Sequence, residues 1–315
     1  MSSTKKHFFL SPNYTPTTTN TFDQQVISVS RRTDVPAWYA DWFMNRVRAG
    51  FAQYRNPFGG QMHEVSLRPD DVMAFVFWSR NYALLLPYLP ELDERGYNSY
   101  FHCTLTDYGA PLEPHAPPTE QVIETFHALA NRYSPKYMLW RFDPIIFSEN
   151  MPPEGILERF GRLAGKLKGA TERCYISLVD PYQKVQKNVA SLIKQGWWGE
   201  EPPEVEVIQA FAAQLAAIAQ RNGITLHACC ETVFSGIDGI QQAHCVDPLL
   251  LAQLFPQKFH ALRAAPTREG CGCFASRDIG AYDTCVHGCV YCYANASHAK
   301  ALARFNAHDP QRPYL

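Results

Sequence analysis

The chain of 315 residues carries 29 basic and 30 acidic side chains, a formal charge of −1, with 46% hydrophobic and 13% aromatic residues and 10 cysteines. Its length fits one large α/β domain or two small ones, and its near-neutral balance excludes a global field for nucleic acid or anionic membrane while leaving room for a local basic groove. No apolar run approaches the roughly 18 residues of a membrane span, and Met1–Leu10 is too weakly apolar for a secretory leader; so many thiols suit a reducing compartment, and the expectation is a cytoplasmic metalloprotein without a membrane partner.

Residues 1–25, ending in S-P-N-Y-T-P-T-T-T-N-T-F-D-Q-Q, read as a flexible lead-in. Strand-like apolar runs follow at Val26–Ser30, Ala74–Ser79, Tyr100–Thr106, Tyr137–Phe142, Cys174–Val179 and Thr225–Cys230. Helical segments fall between most of them, at Trp38–Gly50, Asn81–Leu89, Thr119–Tyr133, Pro153–Lys168 and Val205–Asn222. Asn222-Gly223 and Arg95-Gly96 each close a helix just before a strand, because glycine accepts the left-handed conformation of a helix C-terminus. Strand, helix, strand in this rhythm predicts an α/β fold with a parallel sheet, a barrel or a doubly wound form. One domain over 26–300 is expected, with a cysteine-rich segment at 271–295 and a tail at 301–315.

The sharpest motif is C-V-H-G-C-V-Y-C, which places Cys285, Cys289 and Cys292 at C-x3-C-x2-C spacing. Three thiolates can hold three irons of a cubane and leave the fourth open, a vacancy that serves chemistry. A zinc site would need a fourth ligand, His287 being inside the motif, and a disulfide would need an oxidising compartment. The motif resembles that of radical S-adenosylmethionine (radical SAM) enzymes, including Tyr291 before the third cysteine. The resemblance implies a 4Fe–4S cluster that holds SAM and reduces it to a 5′-deoxyadenosyl radical, which takes hydrogen from a substrate. It also implies an electron donor such as flavodoxin or ferredoxin.

The whole chain, from about Val26 to Asn295, resembles a bacterial family known as domain of unknown function eighteen forty-eight, whose C-terminal cysteine cluster is like the N-terminal one of radical SAM proteins. The carrying segments are I-S-V-S-R-R-T-D-V-P-A at 27–37, R-N-P-F at 55–58, F-W-S-R-N at 77–81, W-R-F-D-P-I-I at 140–146 and the cysteine-rich run at 271–295. Ser79-Arg80 stands where the family usually has Thr-Lys. The resemblance implies a circularly permuted radical SAM core, a partial TIM-type barrel. Asp278–Tyr282 would be its displaced first strand, pairing in parallel with Val26–Ser30.

Four further cysteines, Cys230, Cys245, Cys271 and Cys273, match the family's pattern and suit a second 4Fe–4S cluster or a closed zinc site. Cys229 and Cys230 are expected on opposite faces of a strand, with Cys230 the ligand. Cys103, Cys174 and His227 lie in apolar strands and read as core, and His287 as a cap on the cluster loop. Around the mouth, Ser30, Arg31, Asp34, Ser79, Asn81, Arg141 and Asp143 sit at strand ends. Arginine forks suit a carboxylate or phosphate, so Arg31, Asp34, Arg141 and Asp143 are candidate catalytic residues, and Ser30, Arg31, Ser79, Asn81 and Tyr291 candidate SAM contacts. The substrate, a small molecule or a nucleic acid, is not legible. Lesion repair of the spore photoproduct lyase type is one alternative, although no Lys/Arg-rich run supports duplex binding. A non-catalytic iron–sulfur or zinc protein is another.

Overall fold

The computed structural model describes residues 24–57, 59–180, 183–199 and 201–315, so most of the expected lead-in and Phe58 lie outside it. In chain order, β1 (Gln25–Val29) leads through α1 (Val35–Trp38) and α2 (Ala40–Ala49) into an antiparallel hairpin, β2 (Phe51–Arg55) with β3 (Met62–Ser66). The alternation continues with β4 (Val72–Ser79), α3 (Leu89–Glu94), β5 (Ser99–Thr104), α4 (Thr119–Tyr133), β6 (Met138–Arg141) and α5 (Pro153–Leu167). It ends with β7 (Arg173–Ile176), α6 (Gln183–Ile193), α7 (Val205–Arg221), β8 (Thr225–Ala228), β9 (Ile240–Gln242), α8 (Pro248–Leu254), β10 (Arg277–Asp278) and α9 (His298–Asn306).

Eight of these strands form one sheet in the order β10-β1-β4-β5-β6-β7-β8-β9, and every neighbouring pair is parallel. The sheet is open, since β10 and β9 stand at its two edges. Alternation along the strands divides the core in two. Ile27, Phe75, Phe77, Phe101, Trp140, Cys174 and Leu226 pack with the helices, including Phe43, Phe126, Phe160 and Leu215. Val26, Ala74, Val76, Tyr100, Leu139 and Tyr175 face the other way and are covered by residues 243–274, chiefly Cys245, Leu250, Leu251, Phe255, Phe259 and Phe274. Cys103 and Cys174 are fully buried on the helical face, as core residues.

Residues from the far end of the chain do join β1, with Ile27 opposite Arg277 and Ser28 opposite Asp278. The paired segment is shorter and earlier than the expected Asp278–Tyr282. The Asp278 carboxylate ends it by taking the donors around the β1 terminus: Ser28 Oγ at 3.1 Å, Ser30 Oγ at 2.7 Å, and the N–H groups of Arg31 and Gly280 at 2.8 and 3.0 Å. A Cβ on Gly280 would lie 2.0 Å from Ser30 Oγ, so only glycine lets the chain pass there.

The expected helix over Asn81–Leu89 is displaced. Asn81 forms a side-chain turn, its Oδ1 accepting from Ala83 N at 2.9 Å, and the helical turns begin where Pro87 and Pro90 occupy first-turn positions. The expected tail is partly α9, and beyond it the backbone docks on α2 and β2: Trp42 Nε1 donates to Arg312 O at 2.9 Å, Arg46 to Gln311 O at 3.0 Å, and Gln53 N to Pro313 O at 2.7 Å.

Candidate functional site

The expected mouth residues gather at the C-terminal ends of β1, β4, β6 and β10, where parallel α/β sheets place their chemistry. The loop carrying Cys285, Cys289 and Cys292 is fastened to this end by polar contacts from distant parts of the chain. Asp34, at the N-cap of α1, is the hub. Its Oδ1 accepts from Ser79 Oγ at 2.6 Å and Ala37 N at 3.0 Å, and its Oδ2 from Arg80 N at 2.8 Å and His287 Nε2 at 2.9 Å. Asp34 is buried and has donors on both oxygens, so it holds three loops in register.

Further ties close the cysteine loop. Tyr39 donates to Thr284 O at 2.7 Å, Asn295 Nδ2 to Cys285 O at 2.6 Å, Val290 N to Leu112 O at 3.0 Å and Tyr293 OH to Arg31 O at 2.7 Å. Gly288, between the first two cysteines, has a positive φ of 69° and His115 pressed close, a place for no other residue. Burial pushes all three thiols up, that of Cys289 to about 12 against a smaller opposing pull from Arg80.

Tyr291 occupies a buried ionic network. Its hydroxyl meets Glu113 Oε1 and Arg80 Nη2, Arg80 pairs with Glu113 at 2.7 Å, and Thr106 Oγ1 donates to the same carboxylate oxygen at 2.6 Å. Arg80 and Glu113 also border a cavity of about 260 Å3, which runs along Thr104–Asp107 to the start of α4. Arg80 lies between the expected mouth residues Ser79 and Asn81, marked in the sequence as a departure from the family motif but given no role there. Glu113 is outside the expected site, in a proline-rich loop with no periodic pattern to mark it.

Across the mouth lies the second cysteine group, and it has five members. Cys229 Sγ is 3.7 Å from Cys230 Sγ and 4.0 Å from Cys245 Sγ, and Cys271 Sγ accepts from Cys273 N at 3.4 Å; Cys271 and Cys273 are electrostatic neighbours of Cys230 and Cys245. The strand alternation expected to separate Cys229 from Cys230 fails because β8 stops at Ala228 and Cys230 takes a left-handed φ of 62°. Cys245 is driven well down by the bonds it accepts from Cys229 and Cys273 and by Arg141, and Cys271 down to about 4 by Cys273.

Arg31 and Arg141 belong to this second group. Arg141 Nη1 donates to Cys245 Sγ at 3.4 Å, and its Nη2 pairs with Asp143, whose other oxygen accepts from Ser177. Arg31 donates to Ser276 Oγ at 2.9 Å, and against the opposing effect of burial the Asp278 carboxylate raises its pKa. Both guanidiniums lie over Trp78, at 5.6 and 5.4 Å, and Trp78 stacks on His102 at 4.1 Å. Burial and Arg141 push His102 down to about 3; its Nε2 meets Cys245 O at 2.9 Å. His227 is buried against Tyr175, as a core histidine. Ser30, Ser79 and Asn81 spend their side chains on loop geometry.

Among the described residues, no three or more His, Cys, Asp or Glu are gathered tightly enough to hold one metal ion. The fit of the two groups to metal therefore rests on donor chemistry: three sheltered thiols on one loop, and five on neighbouring segments beside two cations. No helix of the described residues is long and apolar enough to cross a membrane. A family model described as Domain of unknown function (DUF1848) matches residues 26–294. No curated protein matches the chain.

Proposed function

The chain belongs to the DUF1848 family, and we propose that it is a radical SAM-type iron–sulfur enzyme on a circularly permuted core. The observation that carries this reading is the parallel pairing of β10 with β1, which delivers a C-x3-C-x2-C loop to the C-terminal end of the sheet. Cys285, Cys289 and Cys292 would hold a 4Fe–4S cluster. When bound and reduced, such a cluster would supply the electron that cleaves SAM to a 5′-deoxyadenosyl radical.

The chain's own residues provide the setting. Asp34 and His287 hold the cysteine loop against β1 and β4, and the Arg80–Glu113–Tyr291 network supports it from below. Shelter from water keeps a radical from being quenched. Arg31 and Arg141 place charged donors at the mouth for a carboxylate or phosphate on SAM or substrate. A flavodoxin- or ferredoxin-like partner would deliver the electron. The second cysteine group would hold an auxiliary 4Fe–4S cluster or zinc.

The test is spectroscopic. Anaerobically reconstituted, reduced protein should show an iron–sulfur electron paramagnetic resonance (EPR) signal that changes on addition of SAM and vanishes when the triplet cysteines become alanine. A triplet-dependent signal indifferent to SAM would reject SAM binding and favour electron transfer.

A further inference from the structure

The second group has one thiol more than a four-thiolate centre uses. We propose that Cys229, rather than Cys230, completes that centre together with Cys245, Cys271 and Cys273. The inference rests on reading the second group as a metal centre.

Cys229 follows directly on β8, its N–H donating to Ile176 O at 2.9 Å, and it packs with the sheet face that carries Tyr175. His227, two residues before it, stacks on Tyr175 at 5.2 Å on the face that also carries Arg141, and Cys229 extends that row toward Cys245. Its sulfur is the one of the pair in contact with Cys245, which Arg141 touches. Cys230 takes a left-handed backbone, its sulfur meets that of Cys229 at 3.7 Å, and Gly270 packs on its main chain.

Charge points the same way. Four thiolates around a dication or a cluster leave a net negative centre, which needs nearby cations when buried. Arg141 Nη1 stands 3.4 Å from Cys245 Sγ, which is itself 4.0 Å from Cys229 Sγ, so a cation borders the sulfur that Cys229 touches. Neutral thiols gain little from such a neighbour, whereas metal-bound thiolates gain much.

The experiment removes the first site so that bound metal reports the second alone. In the full chain with Cys285, Cys289 and Cys292 replaced by alanine, Cys229→Ser and Cys230→Ser are added separately. Each protein is reconstituted with iron and sulfide, or with zinc, desalted, and assayed for metal per chain and for thiolate-to-metal absorption, with circular dichroism to confirm folding. The parent should hold about four irons or about one zinc. The Cys230→Ser protein should keep that metal and the folded Cys229→Ser protein should lose it. Retention by Cys229→Ser, or equal loss from both, overturns the assignment. A Cys229→His variant, which restores a metal donor, should recover zinc if a misfolded serine variant obscures the comparison, and failure to recover it counts against the proposal. A parent without metal would instead remove the second centre itself, independently of the cysteine assignment.

Discussion

Asp34 and His287, 253 positions apart in the chain, meet at 2.9 Å in a buried contact that fastens the cysteine loop to the first strand of the sheet. The same carboxylate binds Ser79 Oγ and the backbone of Arg80 and Ala37, so one side chain fixes the relative position of three loops. Asp34→Ala leaves those donors without an acceptor. It should lower unfolding free energy by about 3 kcal/mol, as breaking a buried charged contact does, and release iron from the triplet. Urea titration and iron analysis test both; unchanged values would reduce the contact to an accessory.

The close passage of Gly280 over Ser30 is a second check on the β10–β1 junction. Gly280→Ala should cost roughly 1–3 kcal/mol through overpacking, because the neighbouring atoms include Ser30 Cβ at 2.6 Å. Adding Ser30→Gly should recover part of that loss. Two additive penalties in urea denaturation would show that the residues do not collide.

Tyr291 is a candidate SAM contact by its place in the motif, and its hydroxyl is engaged with Glu113 and Arg80. Tyr291→Phe should therefore destabilise the protein by about 1–2 kcal/mol while leaving SAM affinity nearly unchanged. A large fall in affinity at full stability would place the phenol on the cofactor.

The docked C-terminal segment should be sensitive to acid. Burial lowers the His308 pKa below its ordinary 6.5, and the ring stands edge-on to Tyr39 at 4.8 Å with Nε2 unpartnered. The folded state prefers the neutral imidazole, so its contribution is complete above pH 6.5 and is lost as pH falls from there through the lower folded value. Protection factors against hydrogen exchange at Asp309, Gln311 and Arg312, taken relative to the base-catalysed intrinsic rate at each pH, should fall between pH 7.5 and pH 5, and His308→Phe should flatten the change. A pH-independent protection factor in the native protein would contradict this.

The strands with dense β-branched and aromatic runs were legible because a parallel sheet buried on both sides writes itself as continuous apolar sequence. Residues 75–79 and 100–104 are examples. Less was legible where few residues carry an element: β9 has three residues and β10 two, too short for periodicity. The hairpin of β2 and β3 is only partly buried, and α3 opens on Pro90, just past the helix expected over Asn81–Leu89. In the site, cysteine spacing foretold the triplet, and the grouping of Cys230, Cys245, Cys271 and Cys273 came from the family resemblance. The membership of Cys229 turns on one left-handed residue, and the placing of Arg31 beside Ser276 on contacts some 245 positions distant.

The most direct measurement of the central claim is product formation. The reconstituted protein, reduced with dithionite and given SAM under anaerobic conditions, should yield 5′-deoxyadenosine and methionine in equal amounts, and the variant lacking Cys285, Cys289 and Cys292 should yield neither. A protein that holds a reducible triplet cluster yet leaves SAM intact would contradict the account.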